Sequence, residues 1–162
     1  MRWTLRPYSA DAAHEVRALH AAAFRALAAS HHDERQIAAH EALIAAPEYA
    51  DDLAASHLML ARGADGRLAG TAGWIAADGR PGFARIRKVF VRPDLARKGL
   101  ATALVRDAEA RARAAGFPRL TVRANVNAAP LYAKLGYVAV RPGVMPTPAG
   151  VDLPVVFMDK PA

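Results

Sequence analysis

Val89-Phe90-Val91-Arg92-Pro93-Asp94-Leu95-Ala96-Arg97-Lys98-Gly99-Leu100-Ala101-Thr102-Ala103-Leu104 is the stretch whose reading decides the fold. It begins as a β-branched and aromatic run, breaks at Pro93, and resumes after Gly99 as an alanine- and leucine-rich helix. A strand therefore runs into a helix start, where the first backbone N–H groups have no partner inside the helix and the dipole adds partial positive charge. Such an end attracts phosphate. Gly99 and Ala101 let a ligand approach the backbone, and Arg97 and Lys98 add two cations, so the expected ligand is a pyrophosphate. An ordinary strand-to-helix connection with solvated basic residues would read the same way locally.

Two other phosphate loops are excluded. No Gly-x-x-x-x-Gly-Lys-Ser/Thr spacing occurs, and neither does Gly-x-Gly-x-x-Gly with an acidic residue at a second strand end.

Further along, Leu120, Val122 and Ala124 alternate as a strand, which the crossover rule sets parallel to the strand ending at Val91. Asn125-Val126-Asn127-Ala128-Ala129-Pro130-Leu131-Tyr132-Ala133-Lys134-Leu135-Gly136-Tyr137 follows, read as a short helix from about Ala128 to Gly136, capped by Asn127, and then a strand from Tyr137 to Val140.

Together these stretches resemble the GNAT superfamily of acyl-CoA-dependent N-acetyltransferases. Its main motif is a hydrophobic-Val-x-Pro turn followed by Gln/Arg-x-x-Gly-x-Gly/Ala at a helix start; Phe90-Val91-Arg92-Pro93 and Ala96-Arg97-Lys98-Gly99-Leu100-Ala101 match, with Ala96 departing from the usual Gln or Arg. Asn125, Ala128, Leu131, Tyr132, Gly136 and Tyr137 fall on a second motif of the family. The resemblance is clear from Phe83 to Val140. It implies an α/β (α+β type) fold, a mixed, mostly antiparallel sheet of six to seven strands with helices on both faces.

By the same resemblance, acetyl-CoA is the cosubstrate. Val89, Phe90 and Val91 present backbone N–H groups from a strand bulge toward the acyl carbonyl and pantetheine. Arg97, Lys98, Gly99, Leu100, Ala101 and Thr102 cradle the pyrophosphate, Asn125 bonds near the acyl-CoA, and Tyr132 is the acid that protonates the departing thiolate. A phenol near 10 is reasonably matched to an alkyl thiol near 8.5. The general base is not legible: the central strand reads Ala84-Arg85-Ile86-Arg87-Lys88 without a carboxylate, leaving His31, His32, Asp33, Glu34, His57 or a water chain. The leading function is acetyl transfer to a primary amine of a small or amino-acid-like molecule. The alternatives are a catalytically silent acyl-CoA-binding regulatory module and a protein or peptide N-acetyltransferase.

The 162 residues, 53% hydrophobic, are expected to form one domain with a sizeable core. With no cysteine, thiolate metal sites and cysteine nucleophiles are excluded, and no metal is expected. The net charge of +7 is spread among interleaved carboxylates without a stacking platform, so no nucleic-acid partner is expected. The start carries no secretory signal and no run reaches membrane-spanning length, which leads to an expectation of a cytoplasmic protein with no membrane partner and leaves a homodimer open.

The remaining elements are read as a strand Trp3 to Arg6, a helix capped by Ser9 or Asp11 and running to about Ala28, and a second helix from about Glu34 to Ala46 ended by Pro47. Three antiparallel strands follow at His57 to Arg62, Leu68 to Ala76 and Phe83 to Val91. After Gly99 the helix reaches Ala115, with Asp107–Arg111 and Glu109–Arg113 as exposed i,i+4 pairs. Arg141 to Gly150 reads as a loop and Leu153 to Met158 as the closing strand. Arg85 and Arg87, two apart, share a strand face unless a bulge intervenes; if that face lines the acceptor cleft, the acceptor carries a carboxylate or phosphate.

Overall fold

The computed structural model describes residues 2–161. In chain order these form β1 (Thr4–Pro7), α1 (Ala13–Ala28), α2 (Glu34–Ala45), α3 (Glu48–Ala55), β2 (Met59–Arg62), β3 (Leu68–Ala76), β4 (Phe83–Val91), α4 (Leu100–Ala114), β5 (Arg119–Asn125), α5 (Ala129–Lys134), β6 (Val138–Met145) and β7 (Leu153–Lys160). The strands make one seven-stranded sheet in the order β1-β2-β3-β4-β5-β7-β6. Every pairing is antiparallel except that of β4 with β5, which the α4 crossover makes parallel.

Period-two alternation on β4, shifted by one residue where its register with β3 slips, sends Ala84, Ile86 and Val91 into a core with Leu100, Leu104, Val105 and Ala108 of α4. Phe90 turns to the other face, beside Phe24 and Ala28 of α1 and Ile37 of α2. Helices therefore cover both faces, and β3 between them is buried from Leu68 to Trp74. Each fully buried leucine in these layers stabilises the fold by about 1.5–3 kcal/mol. Close approach of α4 explains Gly70: a Cβ there would lie 2.8 Å from Leu104 Cδ1 and 2.9 Å from the Phe90 carbonyl oxygen.

Most predicted elements stand where expected, and the departures have physical causes. A 3-10 turn at Ala10–Ala12 precedes α1, and Ser9 gives its hydroxyl to Asp11 instead of capping the helix. Pro47 does end α2, but a further helix, α3, follows at once, driven by burial of Tyr49 and Leu53. The strand expected from His57 begins at Met59; His57 sits at φ 40° and stacks on Trp74. Half of the expected loop after Arg141 is strand, because β6 lies at the sheet edge, where Pro142 leaves no ladder bond unmade. Asp107 pairs with Arg111 as expected. Glu109 does not reach Arg113: it faces the core, where it accepts from the Tyr137 hydroxyl at 2.8 Å and pairs with Lys160 at 3.1 Å.

Three histidines are buried under α1 and α2. His40 stacks on Phe24 with ring centroids 3.7 Å apart, and His20 stacks on Phe90 at 4.1 Å. Burial, assisted by the charge of Lys88, pushes His20 well below its ordinary value and His40 down to about 3. A histidine depressed in the folded state stabilises fully above its unfolded value of 6.5, and that contribution is lost as the pH falls toward about 3, at about 1.4 kcal/mol per unit. His40→Phe keeps the ring stack and removes the titration. Melting temperature as a function of pH should therefore be flatter in this variant between about pH 6.5 and 5 and no lower at neutrality. A profile as steep as that of the unsubstituted protein would assign the acid sensitivity elsewhere.

Candidate active site

The parallel pairing of β4 with β5 covers only Phe83 to Ile86 against Arg119 to Val122. Beyond it β4 continues to Val91 while β5 continues to Asn125 paired with β7, so the carboxyl ends of the two strands diverge. Alternate backbone groups of β4 between Arg87 and Val91 face the gap without a strand partner. Ligands of open sheets bind at such carboxyl ends.

Within that free stretch β4 carries a bulge. Thr71 pairs with Phe90 and Gly73 with Arg87, so both Lys88 and Val89 stand opposite Ala72. Lys88 adopts φ 57°, a left-handed conformation unfavourable for a side chain of its size. A buried chain of hydrogen bonds holds it. The Thr71 hydroxyl donates to the Lys88 carbonyl at 2.7 Å, so its oxygen is left to accept from His20 Nε2–H at 2.8 Å. Neutral His20 then has its lone pair on Nδ1, which accepts from the Tyr49 hydroxyl at 2.6 Å. Each member is satisfied by the next.

The loop after β4 passes through a 3-10 turn at Pro93–Leu95 and left-handed conformations at Arg97 and Gly99 before α4 begins. Gly99 is the N-cap residue and supplies no side-chain cap; the first intrahelical bond runs from Ala103 N–H to Gly99 O. The N–H groups of Leu100, Ala101 and Thr102 are thus without helix partners, beside the exposed side chains of Arg97 and Lys98. A Cβ on Gly99 would meet nothing within 4 Å, so the cradle is open. Leu100 contributes backbone only, since its side chain is in the core.

Asn125 ends β5 and Tyr132 lies on α5, the two elements on the other side of the gap. Tyr132 is buried, edge-on to Tyr137 with centroids 5.5 Å apart. Burial first, and then Glu109, pushes its phenol above the ordinary value of 10. Asn127 does not cap α5: Ala128 is the N-cap residue, and Asn127 Oδ1 is buried without a partner. Arg85 and Arg87 do share a face, but Asp52 of α3 engages Arg87 at 2.8 Å and Lys88 at 2.8 Å.

The model of the acetyltransferase (GNAT) family matches residues 14–137. The chain belongs to the GNAT family. It is an acetyl-CoA-dependent acyltransferase, and the opened strand pair, the bulge and the uncapped helix start fit a ligand with a pyrophosphate and a long thioester arm. No curated protein matches the chain. Among solved structures, a GCN5-related N-acetyltransferase from Rhodopseudomonas palustris is 28% identical with a TM-score of 0.88, covering 100% of this chain and 97% of that one. The PaiA N-acetyltransferase of Thermoplasma acidophilum, solved with coenzyme A, is 16% identical with a TM-score of 0.76 and full coverage of both chains, 100% and 100%. An acetyltransferase of the same family from Staphylococcus aureus is 13% identical with a TM-score of 0.71, covering 99% of each chain.

Most of the bases expected from the sequence are engaged by local partners. Asp33 is committed to the capping box of α2, Glu34 pairs with Arg25, and His31 bonds to Ser30 at the surface. His32 alone is buried, its Nδ1–H donating to the Ala28 carbonyl at 2.8 Å. No helix among the described residues is long and apolar enough to cross a membrane.

Thr71→Val keeps the shape but strands His20 Nε2–H and the Lys88 carbonyl, a loss of about 1–3 kcal/mol. Denaturant unfolding should register that loss, together with faster amide exchange at residues 88–91, whereas Thr71→Ser should stay near the unsubstituted protein. Equal effects of Val and Ser would mean that the hydroxyl does not hold the bulge.

Proposed function

We propose that this GNAT protein moves an acetyl group from acetyl-CoA to the primary amine of a small, amino-acid-like acceptor. The observation that carries the reading is the coincidence, at one end of the β4–β5 pair, of a bulged free strand edge and a helix start with three unpartnered N–H groups. A small acceptor is supported by a cleft of about 340 Å³ on the sheet face bearing Arg85 and Arg123, at the low end of small-molecule sites.

In this reading acetyl-CoA supplies the activated acyl group. Leu100, Ala101 and Thr102 N–H groups with Arg97 and Lys98 hold its pyrophosphate, and Val89, Phe90 and Val91 offer backbone N–H groups to the acyl oxygen and the pantetheine arm. The Asn125 side chain bonds near the thioester. The acceptor nitrogen, neutral, forms the C–N bond as the C–S bond breaks; the nitrogen then sheds a proton and the sulfur gains one. Tyr132 gives that proton. The phenol is protonated throughout the neutral range; burial makes it a weaker acid than a free phenol, and the same desolvation raises a thiolate formed beside it. Calorimetry with acetyl-CoA, followed by free-thiol release across a panel of small amines, amino acids and peptides, tests the whole; turnover of peptides alone would remove the small acceptor.

Two variants test the parts. Gly99→Val must hold a branched residue at φ 83° and fill the cradle, so acetyl-CoA affinity should fall at least about tenfold in a protein that still folds. Unchanged affinity would move the pyrophosphate elsewhere. Tyr132→Phe retains the ring and deletes the proton; turnover should fall about 100-fold with acetyl-CoA affinity nearly unchanged. Full turnover, measured where chemistry limits the rate, would show that the thiolate leaves without this acid.

A further inference from the structure

The cleft below the strand opening holds an excess of cations. Arg80, Arg85, Arg123 and Arg141 line it with two carboxylates, Asp78 and Asp159. Asp159 is spent on Arg80, which it binds through both oxygens at 2.9 and 2.8 Å. Arg141 lies over the Phe157 ring at 4.1 Å. Immediately above, Asp52 is shared between Arg87 and Lys88. Among the described residues, no carboxylate lies within ion-pair distance of Arg85, Arg123 or Arg141, and Asp78 bridges none of them.

Register brings two of these together. Arg85 on β4 pairs with Thr121 on β5, and Arg123 is the next residue of β5 on that face. The side chains therefore flank the same seam, Arg85 just before the last parallel pair and Arg123 just after it. Holding two guanidiniums side by side costs energy. Desolvation, then the like charges of Arg123 and Arg87, pushes Arg85 down to about 10 against the weaker pull of Asp52 and Asp78; desolvation and Arg87 lower Arg123 as well, against Asp52. An oxyanion between them would relieve both, and guanidinium groups match its geometry bidentately.

We propose that Arg85 and Arg123 bind an oxyanion of the acceptor, so that the acceptor is an amine carrying a carboxylate or a phosphate. The inference rests on the acetyl-transfer reading above and adds its substrate class. Arg87, which shares the face of Arg85, is not part of the subsite because Asp52 already holds its guanidinium at 2.8 Å. The anion lies two to four strand positions before the bulge, about 7–13 Å of strand, so acceptors with the amine at some distance from the anion fit better than glycine.

The test uses the whole protein and matched acceptors: ω-amino acids of increasing length, their carboxamides, and the corresponding aminoalkyl phosphonates. Neither Arg85→Gln nor Arg123→Gln breaks an ion pair, so both variants should fold with melting temperatures no lower than that of the unsubstituted protein. For the acceptors used, kcat/KM should favour an anion over the carboxamide by at least about tenfold, and each variant should abolish the preference while leaving acetyl-CoA affinity unchanged. The phosphonate arm decides which oxyanion is preferred. Equal use of acid and carboxamide overturns the proposal, as does a preference that survives in both variants. Should acetyl-CoA bind but no amine be acetylated, the transfer reading falls and calorimetry decides the subsite: N-acetylated ω-amino acids that bind the unsubstituted protein and not the double variant uphold it, and absence of binding refutes it.

Discussion

Four residue pairs of parallel ladder, Phe83 to Ile86 against Arg119 to Val122, are the only strand pairing between the two halves of this sheet among the described residues. On one side stand β1 to β4, on the other β5, β7 and β6. The join is reinforced by α4, whose apolar face, Leu100, Leu104, Val105, Ala108 and Ala112, packs into a core that includes both Ile86 and Val122. Because the helix braces the seam from one face, the ladder can end early without the halves separating. The gap is thus a consequence of how the sheet is held: closed at Ile86, open at Val91. Strand ends released from pairing would be a liability elsewhere. Here they leave backbone groups of β4 between Arg87 and Val91 facing the gap.

An open strand edge does not by itself aim its donors. Aim comes from the bulge, and the bulge persists because a chain of buried polar groups is satisfied link by link from Tyr49 to His20 to Thr71 to the Lys88 carbonyl. Buried networks of this kind stabilise only when complete. His20 must remain neutral with its proton on Nε2: burial keeps it neutral, and the Thr71 hydroxyl, already donating to the Lys88 carbonyl, selects the tautomer. A second buried network, Tyr137 and Lys160 on Glu109, lies in the α4 layer. It ties the strand after α5 to α4 and so fixes the side of the gap that bears Tyr132.

Local chemistry made much of this legible. The strands β3 and β4, the helix α4 and the parallel β5 follow from alternation, a proline break and a glycine at a helix start, all features of contiguous residues. The candidate cradle at Arg97 to Thr102 could be read for the same reason. What could not be read depends on distant partners. Helix α3 has only Tyr49 and Leu53 as large buried residues, too few for a period. Strand β6 contains Pro142 and Gly143, which spell a loop unless the edge position is known. Glu109 looks solvated until Tyr137 and Lys160 are folded over it. The left-handed Lys88 has no sequence signal at all, since lysine is an unfavourable choice there and contacts from distant residues, the Thr71 bond among them, hold it. Arg85 and Arg87 were visible as a pair, but which of them is free was decided by Asp52, thirty-odd residues earlier in the chain.

That helix α3 is the element least visible in the sequence has a consequence for how the site is built. One turn of it supplies Tyr49, which starts the chain holding the bulge, and Asp52, which pairs with both Arg87 and Lys88. Lys88 is bound at both ends of this arrangement: its carbonyl accepts from Thr71, and its ammonium sits 4.3 Å from the Tyr49 ring centre while pairing with Asp52. Burial first, and then Arg87, pushes the ammonium down to about 8, and the Asp52 carboxylate, held below its usual range by Lys88 and Arg87 despite burial, keeps it from falling further. The same contacts therefore determine both the conformation of the free strand edge and the number of uncompensated cations below it. A shift of α3 along its axis would disturb the direction of the backbone donors and the charge of the cleft at once. Neither the donors nor the arginines can be adjusted without the other, which is why a short helix far from the loop before α4 belongs to the architecture of the candidate site.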